Sequence, residues 1–441
     1  MTFNELNLSK FLLNALDDLG FSEPTPIQEK VFSVVMSGRD VCATAQTGTG
    51  KTYAYLLPAL RQFQFSREGT PQLLILVPTR ELVVQVAEAV AKLTTYMSVK
   101  TIGIYGGVNT RPQIAEIAKG VDILVATPGR LVDFLNMGVV KPKNIKRLII
   151  DEFDEMLNLG FRAQLSVIFD KLPEKRQNLL FSATLTAEVE ELVAEFFNLP
   201  MRIDTEPVGT PLDNISQFYY LVPNFYTKIN LLNRLLADDA TMTKVLVFVS
   251  TKKLADLLFE QLQPIYKEEL DVIHGNKHQN HRFNSVNQFQ DGYCRVLIAT
   301  DIIARGLDVQ EVTHVLNFDL PEVPENYIHR IGRTGRFDKK GIAISFIKPE
   351  EDAMQKSIED LMDMHIPQAQ IPQGIEISEA LLEMEKPQIA MKFITKLPKI
   401  DITTSAFQEK AEKNKKVNVR YDHEAAMKLK YGKAYERRKK K

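Results

Sequence analysis

Two series of short apolar segments, one in each half of the chain, constrain the fold more than any other feature of the sequence. Each segment has strand length, is apolar throughout, and is followed by a segment with helical periodicity. Such strands are typical of parallel sheets that helices cover on both faces. We therefore predict an α/β chain with two parallel sheets. The first series is 40–43, 73–77, 123–125, 147–150 and 178–181, and the second is 244–249, 270–273, 295–299, 314–318 and 342–347.

The segment between the two series predicts a domain boundary. Residues 205–214, TEPVGTPLDN, are rich in Pro, Gly and Thr. The length of 441 residues suits two or three domains of roughly 150 residues each. We predict a first domain over 1–205, a linker over 206–214, a second domain over 215–370 and a basic, partly disordered extension over 371–441.

Composition excludes several classes of protein. The proportions of apolar and charged residues are those of a globular protein, and no apolar run reaches the ~18 residues of a membrane helix. The two cysteines, Cys42 and Cys294, are too few and too far apart for a disulfide framework or a zinc site, and they suit a reducing compartment. With no signal peptide in the first residues, we expect a cytoplasmic protein without membrane contact.

The charge is distributed unevenly along the chain. The net charge is −1, yet residues 392–441 carry 16 Lys and Arg against 6 Asp and Glu. An acidic body joined to a basic tail indicates a polyanionic partner for the tail. Tyr421, Tyr431 and Tyr435 are interleaved with these cations and could stack on bases. The alternative is a solubilising end without a partner.

A phosphate-binding loop is the strongest single motif. The segment AQTGTGKT follows a predicted strand and opens a predicted helix, which is the context that such a loop needs. Its glycines let backbone N–H groups cradle phosphate oxygens, and the helix N-terminus adds a favourable dipole. Lys51 would reach the β- and γ-phosphates, and the Thr52 hydroxyl would bind Mg²⁺. The candidate nucleotide-binding residues are Ala45, Gln46, Thr47, Gly48, Thr49, Gly50, Lys51 and Thr52.

Two acidic residues follow another predicted strand, 147–150. Because ligands bind at the carboxyl edge of open parallel sheets, these side chains are candidates for the same site. Asp151 would hold Mg²⁺, through water, and Glu152 would orient and help to deprotonate the attacking water. Hydrolysis of a γ-phosphate needs mainly positioning and charge stabilisation.

A basic cluster lies in the second half, in the segment YIHRIGRTGR at 327–336. The second domain has no phosphate loop of its own, so Arg333 and Arg336 are candidates for fingers that reach a nucleotide held by the first domain. The alternative is a solvated basic turn or a contact to RNA phosphates only.

Together these residues resemble the DEAD-box RNA helicases of superfamily two, in the family's motif order over about residues 3–370. The resemblance implies two tandem RecA-like domains, with ATP and Mg²⁺ as the nucleotide and metal. Phe3, Phe21 and Gln28 match the Q motif, in which Gln28 reads the adenine edge and Phe21 packs near the base. Asp301 would approach the ribose. Size and tail are similar to the compact bacterial members.

The resemblance also implies an RNA surface and residues that couple it to hydrolysis. The RNA-binding candidates are Pro78, Thr79, Arg80, Gly106, Gly107, Thr127, Gly129, Arg130, Gln279, Arg282, Thr300 and Gly306. The coupling candidates are Asp154, Ser182, Thr184, Arg305, Asp308, His329 and Arg330. Backbone contacts of this kind position RNA without reading its sequence. The basic tail would be an auxiliary RNA site.

One position departs from the family pattern. The name-giving tetrad reads Asp-Glu-Phe-Asp, with Phe153 where the family usually has Ala. The carboxylates are intact, so we expect a compensating space, or a ring that turns toward residues 156–159.

The resulting hypothesis is an ATP-dependent RNA helicase that unwinds short duplexes locally and remodels ribonucleoprotein complexes. The alternative is an ATP-gated RNA clamp or assembly platform with slow hydrolysis. The Q motif argues against a DNA helicase of the same superfamily. A monomeric core is the family default, whereas the physiological RNA and the pathway are not readable from the sequence.

Overall fold

Each series of apolar segments contributes five strands to a seven-stranded parallel sheet. The structure is a computed structural model, and it describes residues 2–45, 49–204, 214–301, 309, 311–335, 339–386 and 429–430. The first sheet contains β1 Val41–Thr44, β2 Leu73–Leu76, β3 Thr101–Ile104, β4 Ile123–Ala126, β5 Arg147–Ile150, β6 Gln177–Ser182 and β7 Met201–Asp204. The second contains β8 Ile215–Leu221, β9 Val245–Phe248, β10 Leu270–Ile273, β11 Val296–Ala299, β12 His314–Asn317, β13 Gly341–Ile347 and β14 Gln368–Ala369.

The two sheets have the same topology. Their strand orders are β3-β4-β2-β5-β6-β1-β7 and β10-β11-β9-β12-β13-β8-β14. When the strands of each sheet are numbered from its own first strand, the two orders are identical. The two halves are therefore structural repeats without an obvious repeat in sequence, and the predicted α/β class with two parallel sheets is confirmed.

Continuous apolar strands give each sheet a core on both faces. In β2, Leu73 and Ile75 join one apolar cluster, whereas Leu74 and Leu76 join the cluster on the opposite face. The same alternation holds along β9 in the second sheet. Because successive side chains of a strand point to opposite faces, helices must cover both faces to bury them.

Helices connect the parallel strands. Side chains of Thr79, Thr186 and Thr251 accept hydrogen bonds from the first turn of the helices that follow them, which explains where these helices begin. None of the helices within the described ranges is long and apolar enough to cross a membrane. The α-helices are α1 Lys10–Asp18, α2 Pro26–Met36, α3 Lys51–Arg61, α4 Arg80–Leu93, α5 Thr110–Ala118, α6 Pro128–Asn136, α7 Phe153–Asn158, α8 Arg162–Lys171, α9 Ala187–Phe196, α10 Phe225–Asp238, α11 Lys252–Tyr266, α12 Gln279–Gln290, α13 Pro324–Ile331 and α14 Asp352–Met362.

The segment 371–385, which we assigned to the extension, packs against the second sheet. Ile371, Ile375 and Leu382 contact one of the apolar clusters of this sheet. Lys348 Nζ lies 2.8 Å from Glu385 Oε1, which ties the end of the segment to the second sheet. The exact domain boundaries stay predictions. Of residues 386–441, only Lys386, Leu429 and Lys430 are described.

Candidate active site

The phosphate loop is held from outside by the start of α2. Thr25 Oγ1 donates a hydrogen bond to the Thr49 carbonyl at 2.9 Å, and Gln28 Nε2 donates one to the Gly50 carbonyl at 3.2 Å. Gly50 has φ +89°, and a Cβ there would lie 2.6 Å from Gln28 Nε2. Glycine is therefore required at this position both by conformation and by space. Lys51 begins α3 directly after this turn.

The three residues of the predicted Q motif differ in how far they are exposed to solvent. Gln28 is buried, and its Oε1 accepts a hydrogen bond from Thr25 N at 3.0 Å. Phe21 is 40% exposed, and its ring meets Tyr53 edge-on with the centroids 5.2 Å apart. Phe3 is buried, and its ring belongs to an apolar cluster of the first sheet. Phe21 is thus the aromatic ring of this set that a ligand can reach.

The acidic residues lie at the carboxyl edge of the first sheet, directly after β5. Asp151 Oδ1 accepts a hydrogen bond from Glu152 N at 3.0 Å, and Oδ2 accepts one from the Tyr55 hydroxyl at 3.0 Å. Burial raises the pKa of Asp151, and the charge of Lys51 opposes that rise. Each oxygen keeps a further lone pair, so Asp151 can still bind a cation or its water ligands.

The Lys51 ammonium is buried, and it donates no hydrogen bond to any residue that the structure describes. Burial of an unpaired cation costs free energy, and an anionic phosphate group at this point would pair with it. The Lys51 ammonium supplies a contact for a phosphate group. The Asp151 carboxylate and the Thr52 hydroxyl supply oxygen ligands of the kind that a nucleotide-bound Mg²⁺ needs. The residues present therefore fit the predicted metal–nucleotide site.

Glu152 occupies a strained position between the strand and α7. Its φ of 52° and ψ of 53° are left-handed, a conformation that costs a non-glycine residue about 1–2 kcal/mol. Its Oε2 atom is buried and has no hydrogen-bond partner among the described residues. Burial raises the pKa of Glu152 to about 8, while the charges of Arg333 and Lys51 lower it. The charges of one cation of its own domain and of one cation of the second domain thus both act on this carboxylate.

Arg333 lies in the turn after α13. It is 4% exposed, and its Nε donates a hydrogen bond to the His329 carbonyl at 3.2 Å. Its charge lowers the pKa of Glu152. An arginine of the second domain therefore acts electrostatically on the water-activating candidate of the first.

Asp154 is joined to the strand that follows α8. Its Oδ2 accepts hydrogen bonds from Thr184 Oγ1 at 2.8 Å and from Thr184 N at 2.9 Å. Its backbone N–H donates to Ser182 Oγ at 3.2 Å. The predicted coupling residues of the first domain thus form one hydrogen-bonded network that begins two residues after Glu152.

Arg330 makes its contacts within the second domain. Its guanidinium donates to both carboxylate oxygens of Asp301, at 2.5 and 2.8 Å. It also donates to Asn317 Oδ1 at 3.2 Å and to the Asp319 carbonyl at 2.6 Å, and it lies over the Phe248 ring. Asp301, our candidate for the ribose contact, is therefore held by a bidentate ion pair.

The predicted RNA residues of the first domain follow β2, β3 and β4. A Cβ on Gly107, which has φ +74°, would lie 2.0 Å from Arg80 Nη2, so this glycine makes room for the guanidinium. Arg130 is buried and donates to Gln113 Oε1 and to the Val108 carbonyl, both at 3.2 Å. Pro78, Thr79 and Thr127 are buried at their strand ends, and a Cβ on Gly106 or Gly129 would meet open space.

A buried cluster joins the two domains beside this surface. Arg282 Nη2 donates to Glu81 Oε1, and Gln279 Nε2 donates to the same atom at 3.1 Å. Arg80 Nη1 donates to Gln279 Oε1 at 3.1 Å. Glu81 and Arg282 are only 2% and 4% exposed. We call these four residues the interdomain cluster.

Thr300 lies at the carboxyl end of β11, and its hydroxyl is buried without a hydrogen-bond partner in the described ranges. Seven of the predicted nucleotide, RNA and coupling residues lie outside the described parts of the chain: Gln46, Thr47, Gly48, Arg305, Gly306, Asp308 and Arg336.

Sequence reasoning missed two residues of the site. Glu81 directly follows the predicted RNA residues 78–80, but a lone acid beside a predicted RNA surface gives no signal of its own. Tyr55 lies four residues after Lys51, and this helical spacing could have placed it on the same face.

Phe153 is fully buried at the start of α7, in the apolar cluster that contains Met156 and Leu157. This agrees with the expectation that its ring turns toward the following apolar residues.

Comparisons with known proteins agree with this geometry. Residues 25–192 match the family described as DEAD/DEAH box helicase, and residues 227–338 match the helicase conserved C-terminal domain. The DEAD-box ATP-dependent RNA helicase CshA of Bacillus cereus is 41% identical over 358 residues, which cover 81% of this chain and 67% of that protein. The RNA helicase CrhR of Synechocystis is 39% identical over 388 residues, covering 88% and 78%.

A solved structure gives the same fold. Dbp5 of S. cerevisiae, bound to RNA and ADP BeF3, superposes with a TM-score of 0.77 at 30% identity, covering 84% of this chain and 96% of that chain. The predicted pair of RecA-like domains is thereby confirmed. The chain belongs to the DEAD-box family of ATP-dependent RNA helicases.

Proposed function

We propose that this chain is an ATP-dependent RNA helicase that hydrolyses ATP when RNA is bound, opens short RNA duplexes locally and remodels ribonucleoprotein complexes. The observation that carries the proposal is that the charges of Lys51 in the first domain and of Arg333 in the second both lower the pKa of the buried Glu152 carboxyl. A site completed by both domains makes hydrolysis dependent on closure of the cleft.

Residues of the first domain bind the phosphates. Lys51 places its buried charge at the β- and γ-phosphates, and the N–H groups at the start of α3 add donors. Thr52 and Asp151 would hold Mg²⁺, which when bound neutralises phosphate charge and polarises the γ-phosphoryl group. Gln28 and Phe21 would contact adenine, which favours ATP because an amide can both donate to and accept from its edge.

Glu152 orients the attacking water and accepts its proton. A pKa raised by burial to about 8 makes this carboxylate a stronger base than an exposed glutamate. Arg333, together with Arg336, would stabilise charge on the γ-phosphoryl oxygens. Asp154, Ser182 and Thr184 would pass the state of the nucleotide to the domain interface.

RNA binds across both domains. Arg80, Gly107, Thr127 and Arg130 supply cations and close backbone approach in the first domain, and the buried Thr300 hydroxyl supplies a polar group in the second. Contacts to phosphates and 2′-hydroxyls favour RNA over DNA without reading bases. Two related solved structures, of Dbp5 bound to RNA and of Mss116 bound to single-stranded RNA, support this assignment.

The ATP-gated clamp is not favoured, since the related proteins are named as helicases and since Glu152 and the Asp154–Ser182–Thr184 network are intact. We further propose a monomeric core in the cytoplasm, where the two buried free cysteines stay reduced.

Steady-state ATPase with and without single-stranded RNA tests the proposal. We expect strong stimulation by RNA, none by matched DNA, and a loss of roughly 10²- to 10⁴-fold in Glu152→Gln, because the general base is removed. Unwinding of a short RNA duplex is measured in parallel. Equal stimulation by DNA, or ATP-dependent RNA retention without unwinding, would contradict the helicase assignment.

A further inference from the structure

Tyr55 lies inside the nucleotide site, yet none of the roles assigned so far uses it. It is fully buried on α3, one turn after Lys51 and three residues after Thr52. That spacing places all three on one face of the helix. Its ring packs against Phe181, with the centroids 5.2 Å apart, which fixes where the hydroxyl points.

The Tyr55 hydroxyl contacts both candidate ligands of the magnesium ion. It lies 3.0 Å from Asp151 Oδ2, and Thr52 is its other side-chain hydrogen-bond partner. Burial and the nearby Asp151 charge raise the pKa of Tyr55 well above its usual value, so the group keeps its proton and donates to the carboxylate. A phenol at this point bridges helix α3 and the end of β5.

Two hydrogen bonds restrain the Asp151 carboxylate. Its Oδ1 is fixed by Glu152 N, and the Tyr55 hydroxyl fixes Oδ2. A carboxylate restrained at both oxygens has one orientation, and each oxygen retains a lone pair that can accept from a metal-bound water or bind the metal. A metal ligand that is already oriented loses less conformational entropy when the metal binds.

We propose that Tyr55 is a positioning residue that sets the affinity of the site for magnesium-bound nucleotide by holding Asp151 and Thr52 in their ligating orientations. The inference rests on the proposed function, since it assumes that these two residues bind the metal. Residues that hydrogen-bond to metal ligands orient those ligands in metalloproteins generally.

The test compares nucleotide affinity with and without magnesium in Tyr55→Phe. The probe is ADP with a fluorescent methylanthraniloyl group on its ribose, titrated in MgCl₂ and in EDTA. We expect the affinity in MgCl₂ to fall roughly tenfold, the range of one hydrogen bond to a charged group. The affinity in EDTA stays within about twofold, because Lys51 and the phosphate loop are unchanged.

Tyr96→Phe is the matched control. The Tyr96 hydroxyl also donates to a carboxylate, Asp18 Oδ2 at 2.6 Å, but it lies on the surface of the first domain away from the site. This variant should bind the probe as the unaltered chain does in both buffers. Thermal unfolding without nucleotide is measured for each variant.

The outcomes separate this inference from the proposed function. If magnesium tightens binding equally in Tyr55→Phe and in the unaltered chain, the positioning role is wrong while the nucleotide site stands. An equal loss in both buffers, or a Tyr55→Phe chain that does not fold, would assign the hydroxyl to structure and also overturn the inference. If the unaltered chain binds the probe in neither buffer, the proposed function itself fails.

Discussion

The ion pair between Glu81 and Arg282 gives a quantitative prediction about domain closure. Both side chains are almost fully buried, and they come from different domains. Removing one partner of a buried pair costs about 3–5 kcal/mol, because the other charge is left unpaired. Here the domains can separate and return that charge to water, so the cost falls on closure and not on folding.

We therefore expect Arg282→Gln to weaken closure by about 3 kcal/mol, which corresponds to roughly a hundredfold. The RNA concentration for half-maximal ATPase stimulation should rise by about this factor, since RNA must then provide the missing closure energy. Nucleotide binding without RNA should not change, because Lys51 and Asp151 belong to the first domain. Titration of ATPase activity with single-stranded RNA measures the first quantity, and fluorescent ADP the second.

A double-mutant cycle with Glu81→Gln separates the pair from its surroundings. In the double variant neither charge is left unpaired. The loss of closure free energy in the double variant should therefore be clearly smaller than the sum of the losses in the two single variants. Arg162→Gln is the control: Arg162 pairs with Glu188 at 3.1 Å on the surface, and exposed pairs contribute about 0–1 kcal/mol. Additive losses, or single variants within twofold of the unaltered chain, would refute the reasoning.

Three further predictions concern stability and the tail. Phe153→Ala should lower the free energy of unfolding by about 3–5 kcal/mol in urea, because the ring is fully buried, yet keep RNA-stimulated ATPase; a loss beyond about tenfold would give Phe153 an active role. Lys228→Met should cost about 3–5 kcal/mol by leaving buried Asp319 unpaired, and adding Asp319→Asn should recover most of it. Burial opposes ionisation of Asp319, but Lys228 and Ser250 outweigh it and lower its pKa, so the pair's contribution is present above about pH 4 and is lost as the pH falls further. Removal of 392–441 should weaken RNA binding at low salt and reduce its salt dependence, as measured by fluorescence anisotropy, and an unchanged affinity would contradict the tail site.

The central strands could be predicted from the sequence because they are buried on both faces. The predicted segments 73–77 and 244–249 correspond to β2 and β9, within one residue at each end. Strands β3, β7, β8 and β14 were not predicted. These strands lie at the edges of the sheets or next to them. Many of their side chains are exposed or only partly buried, so their sequences lack the continuous apolar run that marks a central strand.

Some contacts of the candidate site could also be predicted from the sequence, and others could not. Lys51 and Asp151 could be placed together because strand ends and a phosphate loop meet at one sheet edge. The Glu81–Arg282 pair joins residues 201 positions apart, and the Tyr55 contact with Asp151 joins residues 96 apart. Such contacts depend on how helices and domains pack, which local patterns do not contain.

The hydrogen bond from Gln28 to the Gly50 carbonyl has a thermodynamic consequence. One amide group both supports the phosphate loop and stands at the proposed adenine contact. A base that changes the orientation of this amide also changes the affinity of the phosphate loop for phosphate. By reciprocity, phosphate binding to the loop changes the affinity for the base by the same factor. The identity of the base would then influence how the γ-phosphate is held, although no atom of the base lies near the reacting bond.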